Sequence, residues 1–291
     1  MILVLQLLIN GFALGAAYAL VALGFVLVLN ATAAVNFAQG DMVMAGGYAA
    51  IALAGILPVP GIFLLPLVIV LMATLGLAVA ALAYLPLRAR PSTATFISTI
   101  AIGVILQNGV NVVFGAAPRT APALLGNAQL DWGRLAVSTQ SLAIVVVAAL
   151  LIAGQSFVMT RTQFGRALRA TAQDRETARA LGVDATAMIA ASFAIGAALA
   201  GAAGLLLANQ FFVTPTAGTD FVIKAYIAAT IGGWGSLAGA VAGAFLIAFF
   251  EVGVSAFFSY TVAAAALYVA LLAILFLRPQ GLFGEAIQRR A

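Results

Sequence analysis

The sequence predicts an all-α polytopic membrane protein with about eight transmembrane helices and one further broken or re-entrant segment. Three observations carry this. Of 291 residues, 65% are hydrophobic and only 7% are charged, and the mean hydropathy is +1.18. Windows free of Asp, Glu, Lys and Arg run over 1–40, 42–87, 91–118, 135–160, 185–219, 225–250 and 252–277. Each exceeds the roughly 20 residues a helix needs to cross a hydrocarbon core about 30 Å thick. The apolar runs do not alternate with polar residues, so they read as helices and not as barrel strands.

Spans are expected near 4–29, 41–56, 62–87, 95–114, 140–160, 186–208, 237–256 and 260–277. The first has no basic leader and no small-residue cleavage site, so it reads as a span and not as a removable signal. Arg88 and Arg90, followed by Pro91, mark a turn on the cytoplasmic side, and 115–138 falls on the opposite side. The densest charge lies at 161–184, where Arg161, Arg166, Arg169, Arg175 and Arg179 outnumber Asp174, Glu176 and Asp184. Excess arginine beside spans marks the cytoplasmic face. Within this loop Leu168 and Ala172 are four apart and Ala178 and Leu181 three apart, the spacing of short amphipathic helices with an apolar docking face. The tail, with Arg278, Arg289 and Arg290, is expected on the same side.

Parity then requires one more element. From 209–220 outside to a tail inside, two good helices are not enough. The short apolar run 221–231, ending at Gly232, Gly233, Trp234, Gly235 and Ser236, is expected to be a half-helix. Such a break is tolerated at membrane depth only where its freed backbone groups are buried in protein or line a cavity. A similar interruption, NFAQGD at 36–41, sits in the first half of the chain. Two interruptions, one in each half, are the pattern of a transporter built from two related halves.

Composition also excludes chemistry. There is no cysteine and no histidine, which removes disulfides, thiolate metal sites and the commonest general base. No GxxxxGK[ST] occurs, so this chain does not itself cradle a nucleotide phosphate. No catalytic cluster can be assembled, and neither an enzyme nor a cofactor in this chain is expected. The net charge of +5 sits at membrane edges and reports topology, not nucleic-acid binding. Gly11 with Gly15, Gly239 with Gly243, and Gly196, Ala200 and Gly204 form small-residue rows for close helix packing. Inside the spans, Gln107, Asn108 and Asn111 must face the bundle interior or water. Asp41 reads as a helix cap, Glu251 as an intramembrane acid with a functional default, and Asp220 with Lys224 as a helical ion pair at a membrane edge.

Taken together, four stretches resemble a known family. Glu176-Thr177-Ala178 followed by Gly182 resembles the EAAxxxG coupling loop of ABC importer permeases, with a departure at Thr177 and no IxLP after it. NFAQGDMVMAGGYAA at 36–50, AATIGGWGSLAGAVAGA at 228–244 and RPQGLFG at 278–284 resemble, in order and spacing, the permeases of branched-chain amino-acid ABC importers. The resemblance covers nearly the whole chain. It implies an ABC importer permease fold in a single transmembrane domain over 1–291, placed in the bacterial inner membrane. It further implies a complex with a second, related permease, two cytoplasmic ATPases that bind ATP and magnesium, and an extracytoplasmic solute-binding protein.

On that reading the loop 161–184 couples the permease to its ATPase. Leu168, Ala178 and Leu181 would fill an apolar groove, and Arg166, Arg169, Asp174 and Glu176 would line the rim. Gly182 would be the glycine of the coupling motif, where a bulky residue is expected to uncouple hydrolysis from uptake. Asn36, Phe37, Gln39, Gln107, Asn108, Gly232, Gly233, Gly235, Ser236 and Glu251 are the expected lining of the path. The solute would be a branched-chain amino acid, or a related amino acid, amide, urea or aromatic acid. The alternative is an ion-coupled secondary carrier, for which only Glu251 and Asp41 could serve as ion-binding carboxylates. A membrane scaffold would leave the broken glycine segments without purpose.

Overall fold

A computed structural model describes residues 2–126, 128–132, 135–278 and 281–282. Among the described residues, seven helices are long and apolar enough to cross a membrane. They are α1 (Ile2–Thr32), α3 (Gly61–Val79, prolonged to Leu87 by a π turn and a 3₁₀ turn), α4 (Ser92–Phe114), α5 (Thr139–Arg161), α8 (Ala185–Leu207), α10 (Leu237–Phe257) and α11 (Tyr260–Leu277). Two further helices, α2 (Gln39–Ile56) and α9 (Gly218–Gly232), begin inside the bundle. The eight expected spans and one broken segment thus resolve into seven long helices and two interior-starting ones. At one end a charged helix pair, α6 (Gln163–Gln173) and α7 (Arg175–Ala180), joins α5 to α8. At the other end the short strands β1 (Gln129–Trp132) and β2 (Leu135–Ser138) form an antiparallel ribbon that the sequence reading did not anticipate.

The helix α1 is the hub. It packs against α10, α8, α5 and α9, and 94% of its apolar window is buried by protein, against 11% for α4 and for α11. The small-residue rows explain these contacts. Gly11 and Gly15 receive the rings of Phe249 and Phe245 from α10, and Gly24 abuts Gly196 of α8. Gly204 lies against the backbone of α2 at Val43, and Gly239 and Gly243 against α9 at Gly232 and Ala228. Where no solvent drives association, close backbone approach supplies the dispersion contacts that hold helices together. The peripheral helices α4 and α11 have no such rows against the bundle, and their aliphatic side chains remain exposed.

The two interior starts define the architecture. The helix α1 ends at Thr32, and Ala33 turns the chain with φ 55°. The chain then re-enters the bundle to begin α2 level with the middle of α8, where the Gln39 amide donates to Gly196 O at 3.0 Å. The helix α9 begins at Gly218 directly against Gly40 and Asp41, and a β-carbon on Gly40 would collide with Gly218 O and Val222 N. From this meeting point α2 runs to the ribbon end, where Gly61 N donates to Ala123 O. The helix α9 runs to the α6–α7 end, where Asn30 donates to Gly235 O at 2.8 Å. The two helices therefore start side by side and diverge. Counting α9 as a partial crossing brings Arg278 to the α6–α7 end and resolves the parity problem.

Candidate transport site

Each residue of the NFAQGD interruption has a defined place. Asn36 Oδ1 accepts from Ala38 N at 3.2 Å and forms the turn that starts α2. Phe37 N donates to Thr99 Oγ1 at 3.2 Å, and the Phe37 ring meets Phe96 edge-on, with centroids 4.8 Å apart. Asp41 does not cap α2. The helix begins two residues earlier with Ala38 at its N-cap and no side-chain cap, so Asp41 sits in the first turn. Its Oδ1 accepts instead from Gln107 Nε2 of α4 at 2.8 Å. A carboxylate in the first turn still favours the positive end of the helix dipole. Among the described residues, buried Asn36 Nδ2 and Gln39 Oε1 have no hydrogen-bond partner.

Four expected path residues, Asn36, Phe37, Gln39 and Gln107, therefore lie around the start of α2, Phe37 and Gln107 on its α4 side and Gln39 on its α1–α8 side. The others do not join them. Asn108 lies on the exposed face of α4 and bonds only its own helix, at Val104 O. Gly232, Gly233, Gly235 and Ser236 form the α9–α10 turn at the opposite end of α9. There Gly233 and Gly235 take φ of 109° and 84°, and Ser236 caps α10 by accepting from Gly239 N. A non-glycine residue would be strained at both left-handed positions.

Glu251 belongs to a separate cluster. Its Oε1 lies 2.8 Å from Lys224 Nζ, and its Oε2 accepts from Tyr18 at 3.1 Å. Lys224 also donates to the hydroxyls of Tyr18 (2.8 Å) and Tyr260 (3.2 Å). The expected Asp220–Lys224 pair is not formed, because Lys224 turns inward to the buried acid of α10. Burial strengthens that pairing, since the effective dielectric is low and an unpaired charge there would be costly. The cluster borders a cavity of about 400 Å³ between α1, α9 and α10, which Phe211, Thr214 and Asp220 also line. Sequence reasoning gave Lys224 the wrong partner and missed Tyr18. The available signal was that Lys224 is the single lysine of the chain and stands in an apolar run.

At the α6–α7 end the apolar face differs from expectation. Leu168 packs inward on Leu27 and Met159, and Ala178 is also buried by this chain, so neither side chain is free to fill a partner's groove. The reason is that α6 lies directly on α1, α5 and α8. Leu181, at 77% exposure, is the one outward apolar side chain of the three. Arg166, Arg169, Asp174 and Glu176 are exposed. Asp174 caps α7, accepting from the N–H groups of Glu176 and Thr177 and from the Thr177 hydroxyl. Those bonds, the hydroxyl first, hold its carboxyl below the ordinary range. Gly182 follows with φ 85° and open space around it. The RPQGLFG stretch lies partly outside the described residues; within it, Leu282 N donates to Ile231 O beside the α9–α10 turn. Among the described residues no group of His, Cys, Asp or Glu could hold a metal ion.

This arrangement of a helical bundle with interior-starting helices and a surface helix pair is that of a membrane permease. The chain belongs to the family described as branched-chain amino acid transport system / permease component, whose model matches residues 7–277. It is 32% identical to the high-affinity branched-chain amino acid transport system permease protein BraD of Pseudomonas aeruginosa, over 97% of this chain and 96% of that protein. It is likewise 32% identical to the permease protein LivH of Escherichia coli, over 97% and 96%. The probable branched-chain amino acid transport permease protein LivH of Methanocaldococcus jannaschii is 30% identical over 80% of this chain and 75% of its own length. No solved structure matches the chain. Family membership identifies an ABC importer permease and disfavours the ion-coupled carrier, and the pairing of Glu251 with Lys224 agrees, since that acid is already neutralised.

Proposed function

We propose that this permease forms half of a translocation path for branched-chain amino acids in a bacterial inner membrane. It would pair with a second permease, two ATPases that bind ATP and magnesium on the cytoplasmic side, and an extracytoplasmic solute-binding protein. The observation that carries the transport reading is the meeting of α2 and α9 inside the bundle, with buried Asn36 Nδ2 and Gln39 Oε1 unpartnered at the start of α2. Backbone interrupted at membrane depth is the form in which transporters present polar groups to a solute. A buried amide donor and a buried amide acceptor suit the carboxylate and ammonium of a small zwitterion.

The coupling reading changes in detail. Leu168 and Ala178 tie α6 and α7 to the bundle, which makes the pair a firm surface. Leu181, with Arg166, Arg169, Glu176 and the Asp174-capped turn before Gly182, is the part offered to an ATPase. A closing ATPase shifts the permease only if its contacts differ between the two states. The test is to purify the tagged chain from its native membrane, identify what accompanies it, and measure ATP hydrolysis with binding protein and leucine, isoleucine or valine. Two ATPases and a second permease, with turnover raised by loaded binding protein and uncoupled by Leu181→Asp, are expected. A lone chain that moves solute on an ion gradient would overturn the proposal.

A further inference from the structure

A second cavity, of about 510 Å³, opens at the α6–α7 end between segments distant in sequence. Asn30 comes from the end of α1, Arg88, Arg90 and Ser92 from the α3–α4 turn, and Thr171 and Arg175 from the α6–α7 junction. Three guanidinium-bearing residues therefore surround one space, and among the described residues no aspartate or glutamate lines it. The neighbouring carboxylate, Asp174, is committed to the α7 cap.

Neutral oxygens, not acids, orient two of these arginines. Arg175 Nη1 donates to the Tyr84 hydroxyl at 2.8 Å, and Arg88 Nη1 donates to Thr186 Oγ1 at 3.3 Å. Each guanidinium has five N–H donors, so most of its capacity is left over. The first turn of α4 opens on the same space, and its N-cap, Pro91, supplies no side-chain acceptor. The end of a helix with unmet N–H groups adds partial positive charge to that of the arginines. Like charge gathered around a cavity with no counter-charge in its wall is unfavourable until an anion enters. A tetrahedral oxyanion matches the planar forks of several arginines at once.

We propose that this cavity binds a phosphate group, carried either by the headgroup of an anionic phospholipid or by a soluble phosphate. The site lies where the apolar helices α1 and α3 end and α4 begins, and the ends of spans are where a bilayer would present its headgroups. An occupant would bridge the α3–α4 turn to the α6–α7 junction. The inference concerns binding at this cavity and is independent of the proposed ATPase and solute.

The test is native mass spectrometry of the full chain in mild detergent, titrated with phosphatidylglycerol and with phosphatidylcholine, and with inorganic phosphate as competitor. The chain is expected to retain phosphatidylglycerol in preference to phosphatidylcholine. Each arginine removed weakens that retention roughly fivefold, so Arg88→Gln with Arg90→Gln weakens it about 25-fold. Arg90→Gln alone, at an exposed side chain, gives the single step if the double variant folds poorly. Arg179→Gln makes the same charge change outside the cavity and should leave retention intact. If inorganic phosphate raises the melting temperature of the parent chain but not of the double variant, while phosphatidylglycerol is not retained, the source is soluble phosphate. The proposal fails if neither probe distinguishes parent from double variant, or if Arg179→Gln weakens binding equally.

Discussion

Lys224 and Glu251, on α9 and α10, meet at 2.8 Å in a pocket that leaves their side chains 10% and 5% exposed. Tyr18 bonds both, so the interior-starting helix α9 is fastened to α10 and to the hub α1 at one point. Removing one member of such a pair strands the other charge. Lys224→Met or Glu251→Leu alone should destabilise by about 3–5 kcal/mol, whereas the double substitution should recover most of that loss. Thermal unfolding in detergent measures both. Single variants no less stable than the double would mean that the pair is not coupled.

Gly40 and Gly253 should respond oppositely to the same change. Gly40→Ala would press a methyl group on Gly218 O, in backbone that cannot give way without parting α2 from α9. On α10, a methyl group at Gly253 would meet nothing within 4 Å. Gly253→Ala should therefore gain about 0.5–1 kcal/mol from helix propensity. Melting temperatures and yields of folded protein compare the two.

Leu168 and Leu181 separate anchoring from docking. Leu168→Ala should destabilise by about 2–5 kcal/mol and raise hydrogen exchange through α6, as for any fully buried leucine. Leu181→Ala, at an exposed position, should stay within about 0.5 kcal/mol and affect only function.

Asp174 predicts an acid-sensitive cap. Its carboxyl is depressed in the folded state, so the stabilisation is fully present above the unfolded Asp value, about 3.9, and is lost as pH falls through the lower folded value. The side-chain carbon resonance of Asp174 should titrate at lower pH in the intact chain than in a peptide spanning 170–182. Equal midpoints would show that the cap contributes nothing.

Much of the fold is legible in the sequence because its physics is local. Charge-free windows and glycine clusters locate helices and breaks: the expected span 186–208 is α8 at Ala185–Leu207, and the half-helix expected at 221–231 is α9 at Gly218–Gly232. What is not legible depends on the facing of distant elements. Lys224 has Asp220 one turn away and Glu251 twenty-seven residues away, and only the packing of α9 on α10 decides between them. The periodicity of 164–181 gives an apolar face but not its target, which for Leu168 is α1 and α5 of the same chain. Polarity within apolar runs places Asn36, Gln39 and Gln107 inside, but the same reasoning fails for Asn108 and Asn111, which are exposed on α4. The separation of the first three from the Gly232–Ser236 turn requires the direction of α9.

The contact of Gly40 with Gly218 and that of Gly232 with Gly239 put main chain on main chain at both ends of α9. Outward-facing positions such as Leu150 and Val112 can exchange one aliphatic group for another with little consequence. The glycine seams admit no such drift, because the smallest step upward in size is already too large. Between these two kinds of position, tolerance to substitution is therefore inverted with respect to bulk: the outward aliphatic side chains are replaceable, and the seam glycines, which have none, are not.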